Sequence, residues 1–130
     1  MSLLVAIGGN AVHPDNIRGT TEEQETIAGR AAQAALLARS LDIPDLLILT
    51  AVERIAIDYD TPRQRYLDRV TASELRAHQR AGHFAKGSMG PKVEAALRHL
   101  AGGGRRAIIG HLERAAAALA GASGTHVVAD

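Results

Sequence analysis

The sequence predicts an α/β fold, a three-layer α/β/α sandwich with a largely parallel sheet. Short apolar runs alternate along the chain with segments that repeat apolar residues at helical spacing. The apolar runs are continuous, as at residues 46–49, which is typical of strands buried on both faces of a parallel sheet. With 130 residues and 46% apolar content, we expect a single domain over residues 1–130, with a first block at 1–40 and a second at 41–130.

The first block is expected to hold one strand and one helix. The run Leu3-Leu4-Val5-Ala6-Ile7 predicts a buried strand. Residues 10–20 contain Asn, Pro, Asp and Gly, which indicates a loop. The capping-box pattern Thr21-Glu22-Glu23-Gln24 then predicts the start of a helix that extends to about Ser40.

In the second block, turn residues separate a longer series of elements, beginning after the break at Pro44. Capping boxes, an early proline and terminal glycines mark the ends of its helices. The predicted elements are strands at 46–49, 54–59, 107–109 and Thr125–Val128, a helical turn from Thr61-Pro62, a helix from Thr71-Ala72-Ser73-Glu74 to Ala81, a helix from Pro91 to Gly102, and a helix over 112–120.

Composition excludes several classes of function. Lys and Arg number 15 against 14 Asp and Glu, so the formal net charge of +1 predicts no nucleic-acid partner. Aromatic residues make up 2%, too few for a base-stacking platform, namely Tyr59, Tyr66 and Phe84. The absence of cysteine excludes disulfides and thiol catalysis. The six histidines lack metal-ligand spacing, so we expect no metal site and interpret most of them as surface residues.

The sequence also predicts where the protein resides. No apolar run approaches the length of a membrane span, so we expect no membrane partner. The first residues lack the charged and then apolar pattern of a secretory signal. We therefore expect a cytoplasmic protein.

Two glycine-bearing loops are candidate anion sites. Gly8, Gly9 and Asn10 follow the first predicted strand, where small residues let the backbone approach an anion and Asn10 adds an amide donor. The alternative interpretation is an ordinary tight turn. The second loop, Gly87-Ser88-Met89-Gly90-Pro91-Lys92, leads into a predicted helix start, whose free N–H groups favour phosphate. Lys92 opposes the helix dipole there, which indicates an anionic ligand; the alternative is a solvated surface lysine.

Two further polar pairs have weaker patterns. Asp58 and Asp60 flank Tyr59 and are interpreted as a solvated turn, with Mg²⁺ ligation as the alternative. Arg105-Arg106 is interpreted as a solvated strand edge rather than an anion site.

Several segments together carry a family resemblance: Val5-Ala6-Ile7-Gly8-Gly9-Asn10-Ala11, Gly19-Thr20-Thr21-Glu22-Glu23-Gln24, Leu49-Thr50-Ala51-Val52-Glu53, the loop ending in Lys92-Val93-Glu94-Ala95-Ala96, and Gly104-Arg105-Arg106-Ala107-Ile108-Ile109. On them the chain resembles the carbamate kinases of the amino-acid kinase family. The resemblance implies a fold of that family, reduced by loss of a central region that carries a second phosphate motif, a substrate lid and a Lys-Asp pair. Arg30 lies near the position of that lysine.

The resemblance implies reversible phosphoryl transfer between ATP and carbamate, which gives ADP and carbamoyl phosphate. It implies Gly9, Asn10, Lys92 and Arg30 as catalytic residues, and it implies that Mg²⁺ arrives with the nucleotide. The nucleotide-binding residues that it implies are Gly8, Gly9, Asn10, Thr50, Ala51, Met89, Gly90 and Lys92. Exposed apolar faces left by the missing region predict a homodimer. The alternative function is a catalytically impaired nucleotide-binding or interaction protein.

Overall fold

A computed structural model describes residues 3–7, 40–84 and 89–130. The described strands are β1 (Leu3–Ile7), β2 (Asp45–Thr50), β3 (Ala56–Ile57), β4 (Arg65–Tyr66), β5 (Arg69–Thr71), β6 (Arg106–His111) and β7 (Thr125–Val128). The described helices are α1 (Ala72–Arg80), α2 (Met89–Ala101) and α3 (Ala115–Leu119), and a 3₁₀ turn at Leu112–Arg114 precedes α3.

The main sheet has five described strands in the order β1-β2-β6-β7-β5. The pairs β1–β2, β2–β6 and β5–β7 are parallel, and only β6–β7 is antiparallel. All six residues of β2 are buried, because this strand lies between two parallel neighbours and is covered on both faces. The expected, largely parallel sheet is therefore confirmed.

Alternate side chains of the strands form two separate cores. Leu46, Ile48 and Ile109 pack with Leu75 of α1 and Leu97 of α2 on one face. On the opposite face, a smaller cluster joins Leu47, Leu49 and Ile108 to Ala118 of α3. Helices on both sides of the sheet make the predicted three-layer sandwich.

The two long described helices begin as local sequence chemistry requires. The Thr71 hydroxyl accepts a hydrogen bond from the Glu74 N–H at 3.2 Å, which caps α1 and confirms the predicted capping box. Helix α2 begins at Met89, two residues before the predicted start at Pro91, so Pro91 still lies in the first turn. No helix in the described ranges is long and apolar enough to cross a membrane.

Buried Thr125 connects the segment after β2 to the sheet through two hydrogen bonds. Its hydroxyl accepts a hydrogen bond from the Ile55 N–H at 2.8 Å and donates one to the Leu67 carbonyl at 2.6 Å. Both bonds are buried, and they join segments 58 to 70 residues apart. They fix the start of a small hairpin formed by β3 and β4.

Three predicted elements differ from the structure. The strand expected at 54–59 is limited to Ala56–Ile57, because Asp58 and Asp60 adopt φ values of 51° and 59° that end an extended strand. Thr61-Pro62 begins no helix: the Gln64 N–H donates to the Thr61 carbonyl within a hairpin turn. The helix expected at 112–120 is a 3₁₀ turn followed by α3.

Burial also differs from expectation at three places. Leu3 and Val5 of β1, the edge strand of the described sheet, are 37% and 47% exposed. His99 is buried rather than on the surface, and its Nε2 lies 2.9 Å from the Pro44 carbonyl oxygen. A Cβ at Gly104 would overlap that imidazole, so the close approach requires glycine. Of the helix predicted to extend to about Ser40, only Ser40 itself is described, and it is helical.

Candidate functional site

The carboxyl end of β2 provides the first component of the site. Thr50, its last residue, is 2% exposed and pairs with His111 of parallel β6. The other parallel neighbour, β1, ends at Ile7, which pairs with Leu49. Because carboxyl ends of parallel strands meet at one edge of a sheet, this edge is where α/β proteins bind ligands.

Lys92 of α2 is the central charge of the site. Lys92 is 6% exposed, and its Nζ donates a hydrogen bond to Oγ1 of Thr50 at 3.0 Å. No carboxylate of the described residues lies at ion-pair distance from this ammonium, and the first turn of α2 contains no acidic residue. The interpretation of Lys92 as a solvated surface lysine is therefore wrong.

Burial lowers the pKa of Lys92 from its ordinary value of 10.5, because the charged form loses hydration. A buried ammonium with one neutral hydroxyl partner is an unfavourable arrangement for the free protein. An anion placed beside it would restore the lost stabilisation. The arrangement therefore suits a negatively charged ligand.

Thr50 and Lys92 open onto a cavity of about 740 Å³, which we call the Lys92 cavity. Its wall combines the two polar groups with apolar and aromatic side chains, as is usual for small-molecule sites. The described lining residues are Thr50, Ala51, Val52, Glu53, Arg54, Ala56, Tyr59, Tyr66, His83, Phe84, Met89 and Lys92.

The β3–β4 hairpin forms the outer wall of the Lys92 cavity. Its turn is closed by the Thr61 hydroxyl, which donates to the Asp58 carbonyl at 2.6 Å. The Asp58 N–H donates to Nδ1 of His83 at 3.2 Å, which links the turn to the segment after α1. Tyr59 and Tyr66 project from the hairpin with 72% and 61% of their surface exposed. Both rings are therefore accessible to a ligand.

Glu53 is held in the wall by a fixed set of partners. Buried Ser123 donates a hydrogen bond to its Oε1 at 2.9 Å, and this bond lowers the pKa of Glu53. The guanidinium groups of Arg54 and Arg114 lie 3.7 and 3.9 Å from the same oxygen and lower the pKa further. Glu53 is thus a carboxylate at neutral pH.

The structure brings together four of the predicted nucleotide-binding residues. Thr50, Ala51, Met89 and Lys92 all line the Lys92 cavity. Gly90, the second residue of α2, is not among its lining residues. Gly8, Gly9, Asn10 and Arg30 lie outside the described residues. The roles assigned to these nine positions and the predicted homodimer remain predictions.

Sequence reasoning missed most of the outer wall. The low aromatic content predicted no stacking surface, yet all three aromatic side chains of the chain line this one cavity. The signal that locates two of them is the turn sequence Asp58-Tyr59-Asp60-Thr61-Pro62, which favours a hairpin. In the described part of the chain, no group of three or more His, Asp or Glu side chains is arranged to hold a metal ion. Asp58 and Asp60 belong to the turn.

A sequence model of the amino acid kinase family matches residues 3–111, and the chain belongs to that family. Within the family it is similar to carbamate kinases. It is 40% identical to the carbamate kinase of Thermococcus kodakarensis over 126 residues, 97% of this chain and 40% of that protein. It is 34% identical to carbamate kinase 2 of Staphylococcus aureus over 127 residues, 97% of this chain and 41% of that protein.

A solved structure extends the same similarity. The carbamate kinase from Giardia lamblia bound to AMP-PNP matches with a TM-score of 0.75 and 40% identity. The match covers 78% of this chain and 32% of that chain. The chain spans about two fifths of the length of the curated relatives it matches.

Proposed function

We propose that this chain binds ATP and ADP in the Lys92 cavity and acts as a carbamate-kinase-like phosphotransferase. The observation that carries the proposal is the buried Lys92 ammonium, which has a hydroxyl partner in Thr50 and no carboxylate partner among the described residues. The AMP-PNP in the Giardia relative, an ATP analogue, supports the same ligand class.

The two parts of the cavity suit the two parts of a nucleotide. Lys92 lies at the start of α2, where an ammonium neutralises phosphate charge and helix N–H groups add a favourable dipole. Apolar and aromatic groups such as Val52, Tyr59 and Phe84 provide a surface for the purine base. Mg²⁺ accompanies the nucleotide in this proposal.

The proposed reaction transfers one phosphoryl group. A carbamate oxygen attacks the terminal phosphorus of ATP, the bond from that phosphorus to the ADP oxygen breaks, and carbamoyl phosphate and ADP result. The protein contributes positioning and charge neutralisation rather than covalent chemistry. We assign the transferred phosphoryl group to Gly8, Gly9 and Asn10, which follow Ile7 in the sequence. Ile7 ends β1 at the same edge of the sheet at which Thr50 ends β2. Arg30 is the proposed second cation.

Nucleotide titration of matched lysine variants tests the binding proposal. Lys92→Ala removes the central charge, whereas Lys86→Ala removes the other lysine of the chain, which lies outside the family motif. By calorimetry we expect Lys92→Ala to weaken Mg·ADP binding by about 1.5–3 kcal/mol, the contribution of a charge-assisted hydrogen bond. Lys86→Ala should change the affinity much less. Unchanged binding in Lys92→Ala would refute the proposal.

A coupled assay for ADP formation from ATP and carbamate separates the two candidate functions. The match covers only 40% of the Thermococcus relative, which favours the alternative, a nucleotide-binding protein with impaired catalysis. Turnover that falls about 10²–10³-fold in Arg30→Ala, with unchanged ADP binding, would support the phosphotransferase and the role of Arg30. Binding of Mg·ADP without turnover in the unaltered chain would support the alternative.

A further inference from the structure

The surroundings of Lys92 differ from those of an ordinary protein lysine. Among the described residues, its Nζ has one hydrogen-bond acceptor, the neutral hydroxyl of Thr50 at 3.0 Å, and no carboxylate at ion-pair distance. The apolar side chains of Val52, Phe84 and Met89 share the wall of the Lys92 cavity with it. Such surroundings favour the neutral amine over the ammonium, because the charged form loses hydration without gaining a described counter-charge.

The neutral amine of a lysine is a nucleophile, whereas its ammonium form is not. A lysine of ordinary pKa is neutral in less than about one molecule in a thousand at neutral pH, and each unit by which the pKa falls raises that fraction about tenfold. Burial lowers the pKa of Lys92 from 10.5. Its amine is therefore neutral more often than that of a solvated lysine, in agreement with the contacts of its Nζ.

The Lys92 cavity gives small reagents access to this amine. Lys92 is only 6% exposed, but it lines an open space of about 740 Å³. A small uncharged electrophile enters such a space without needing a counter-charge of its own. A neutral amine has two N–H bonds and one lone pair, and the hydrogen bond to Thr50 uses one N–H. The lone pair therefore remains available for reaction.

We propose that Lys92 of the ligand-free chain is a modification site that is carbamoylated by isocyanic acid. The lone pair of Nζ attacks the carbon of HN=C=O, and a new C–N bond forms. The π electrons of the C=N bond accept a proton, Nζ loses one, and the product is a neutral urea. This product carries no charge at the position where the proposed function needs a cation. The modification is therefore expected to remove the affinity of the Lys92 cavity for nucleotide.

The product of the proposed reaction is a source of the reagent. Carbamoyl phosphate eliminates phosphate when its C–O bond to phosphate breaks and its nitrogen loses a proton, which leaves isocyanic acid. This source rests on the proposed function, whereas the reactivity of Lys92 does not. A bound nucleotide would place phosphate beside Lys92, which favours the ammonium and covers it. The chain is thus expected to be inactivated by its own product only while the cavity is empty.

Mass spectrometry of the chain treated with potassium cyanate tests the proposal, and Lys86 is the control within the same molecule. At neutral pH we expect Lys92 to be carbamoylated at least about tenfold faster than Lys86, because its pKa is lower. The preference should largely disappear at pH 10.5, where an ordinary lysine is also half neutral. Thr50→Asp places a carboxylate beside Nζ and should remove the preference at neutral pH, because an opposite charge favours the ammonium.

Two results would overturn the proposal. One is a rate at Lys92 that is equal to or below the rate at Lys86 at neutral pH. The other is a preference for Lys92 that is the same at neutral pH and at pH 10.5, since protonation would then not explain it.

Protection by nucleotide separates this proposal from the proposed function. Saturating Mg·ADP should slow the reaction at Lys92 at least about tenfold and leave Lys86 unchanged, because phosphate favours the ammonium. Preferred reaction at Lys92 without protection would support the modification site and contradict nucleotide binding. Calorimetric binding of Mg·ADP without preferred reaction at Lys92 would contradict the modification site alone.

Discussion

A buried charge lies at each end of β2, and the protein surrounds the two charges differently. At the amino end, the Asp45 carboxylate accepts hydrogen bonds from Arg105 Nε at 3.1 Å and from Arg105 Nη2 at 2.7 Å, and Arg106 Nε lies 3.3 Å from it. At the carboxyl end, the one hydrogen-bond partner of the Lys92 ammonium among the described residues is the Thr50 hydroxyl. The Asp45 charge is thus compensated by two arginines, whereas the Lys92 charge has no carboxylate partner in the described part of the chain.

The causes of the pKa shifts also differ between Asp45 and Lys92. Burial raises the pKa of Asp45, but hydrogen bonds and the charges of Arg105 and Arg106 outweigh it and hold the pKa below 3.8. For Lys92, burial lowers the pKa. Removing one partner of a buried ion pair destabilises a fold, whereas removing a buried charge that has no counter-charge relieves a cost of desolvation.

The largest expected effect is the loss of the compensated charge. Asp45→Asn keeps the size of the side chain but leaves Arg105 and Arg106 without their carboxylate. We expect the free energy of unfolding to fall by about 2–3 kcal/mol at neutral pH, measured by urea denaturation. The control is Asp42→Asn, a change at an exposed aspartate three residues earlier, which should alter stability by less than about 0.5 kcal/mol.

The pH dependence sharpens this prediction. Because the folded state lowers the pKa of Asp45, its stabilisation is fully present above the unfolded value of 3.8 and declines as the pH falls through the folded pKa. The difference in stability between the unaltered chain and Asp45→Asn should therefore shrink below pH 3.8. A difference that stays constant down to the acid transition would contradict the assigned role of the carboxylate.

At the other end of β2, removing the buried charge is expected to increase the free energy of unfolding. Lys92→Met replaces a buried ammonium by an apolar side chain of similar length, so we expect the ligand-free protein to become about 1–2 kcal/mol more stable at neutral pH. The gain should vanish as the pH approaches 10.5, because the lysine then loses its charge in both states. At the same concentration, Mg·ADP should raise the melting temperature of the unaltered chain more than that of Lys92→Met.

Lys86→Met is the matched control for this change. It removes the same charge elsewhere in the sequence, so it should leave both the stability and the response to Mg·ADP close to those of the unaltered chain. If Lys92→Met instead lowers stability, the ammonium is already compensated in the free protein, and the contrast between the ends of β2 fails.

The strands and helices that depend on residues close together in the sequence agree best with the sequence prediction. The strand Thr125–Val128 and the α1 helix that begins after Thr71 were predicted with bounds that agree closely with the structure. Apolar runs and capping residues act within a few positions of the chain, which is why these elements are readable from sequence. The strand at 54–59 was predicted too long, because two positive φ values at aspartates interrupt it.

The contacts of the two buried charges join residues distant in the sequence, and composition gives no sign of them. Arg105-Arg106 was interpreted as a solvated edge, but its carboxylate partner Asp45 lies 60 residues earlier in the chain. Thr50 and Lys92 are 42 residues apart, and the burial of Lys92 depends on how α2 packs on the sheet. The motif located Lys92 as a candidate, while only the fold shows that it is a buried charge without a carboxylate in the described residues.

The smallest expected effect is that of removing the Thr50 hydroxyl, which accepts a hydrogen bond from Lys92. Thr50→Val keeps a β-branched side chain suited to a buried strand, so the change removes mainly the hydrogen bond to Lys92 Nζ. We expect a loss of about 1 kcal/mol in the free energy of unfolding of the ligand-free protein. The same change in a Lys92→Met background should have almost no effect, since no ammonium then needs the hydroxyl. Chemical denaturation of the four proteins completes a double-mutant cycle with a coupling energy of about 1 kcal/mol. A coupling energy near zero would mean that Thr50 stabilises the protein by packing alone. The hydroxyl would then contribute nothing to the stability of the Lys92 ammonium in the ligand-free protein.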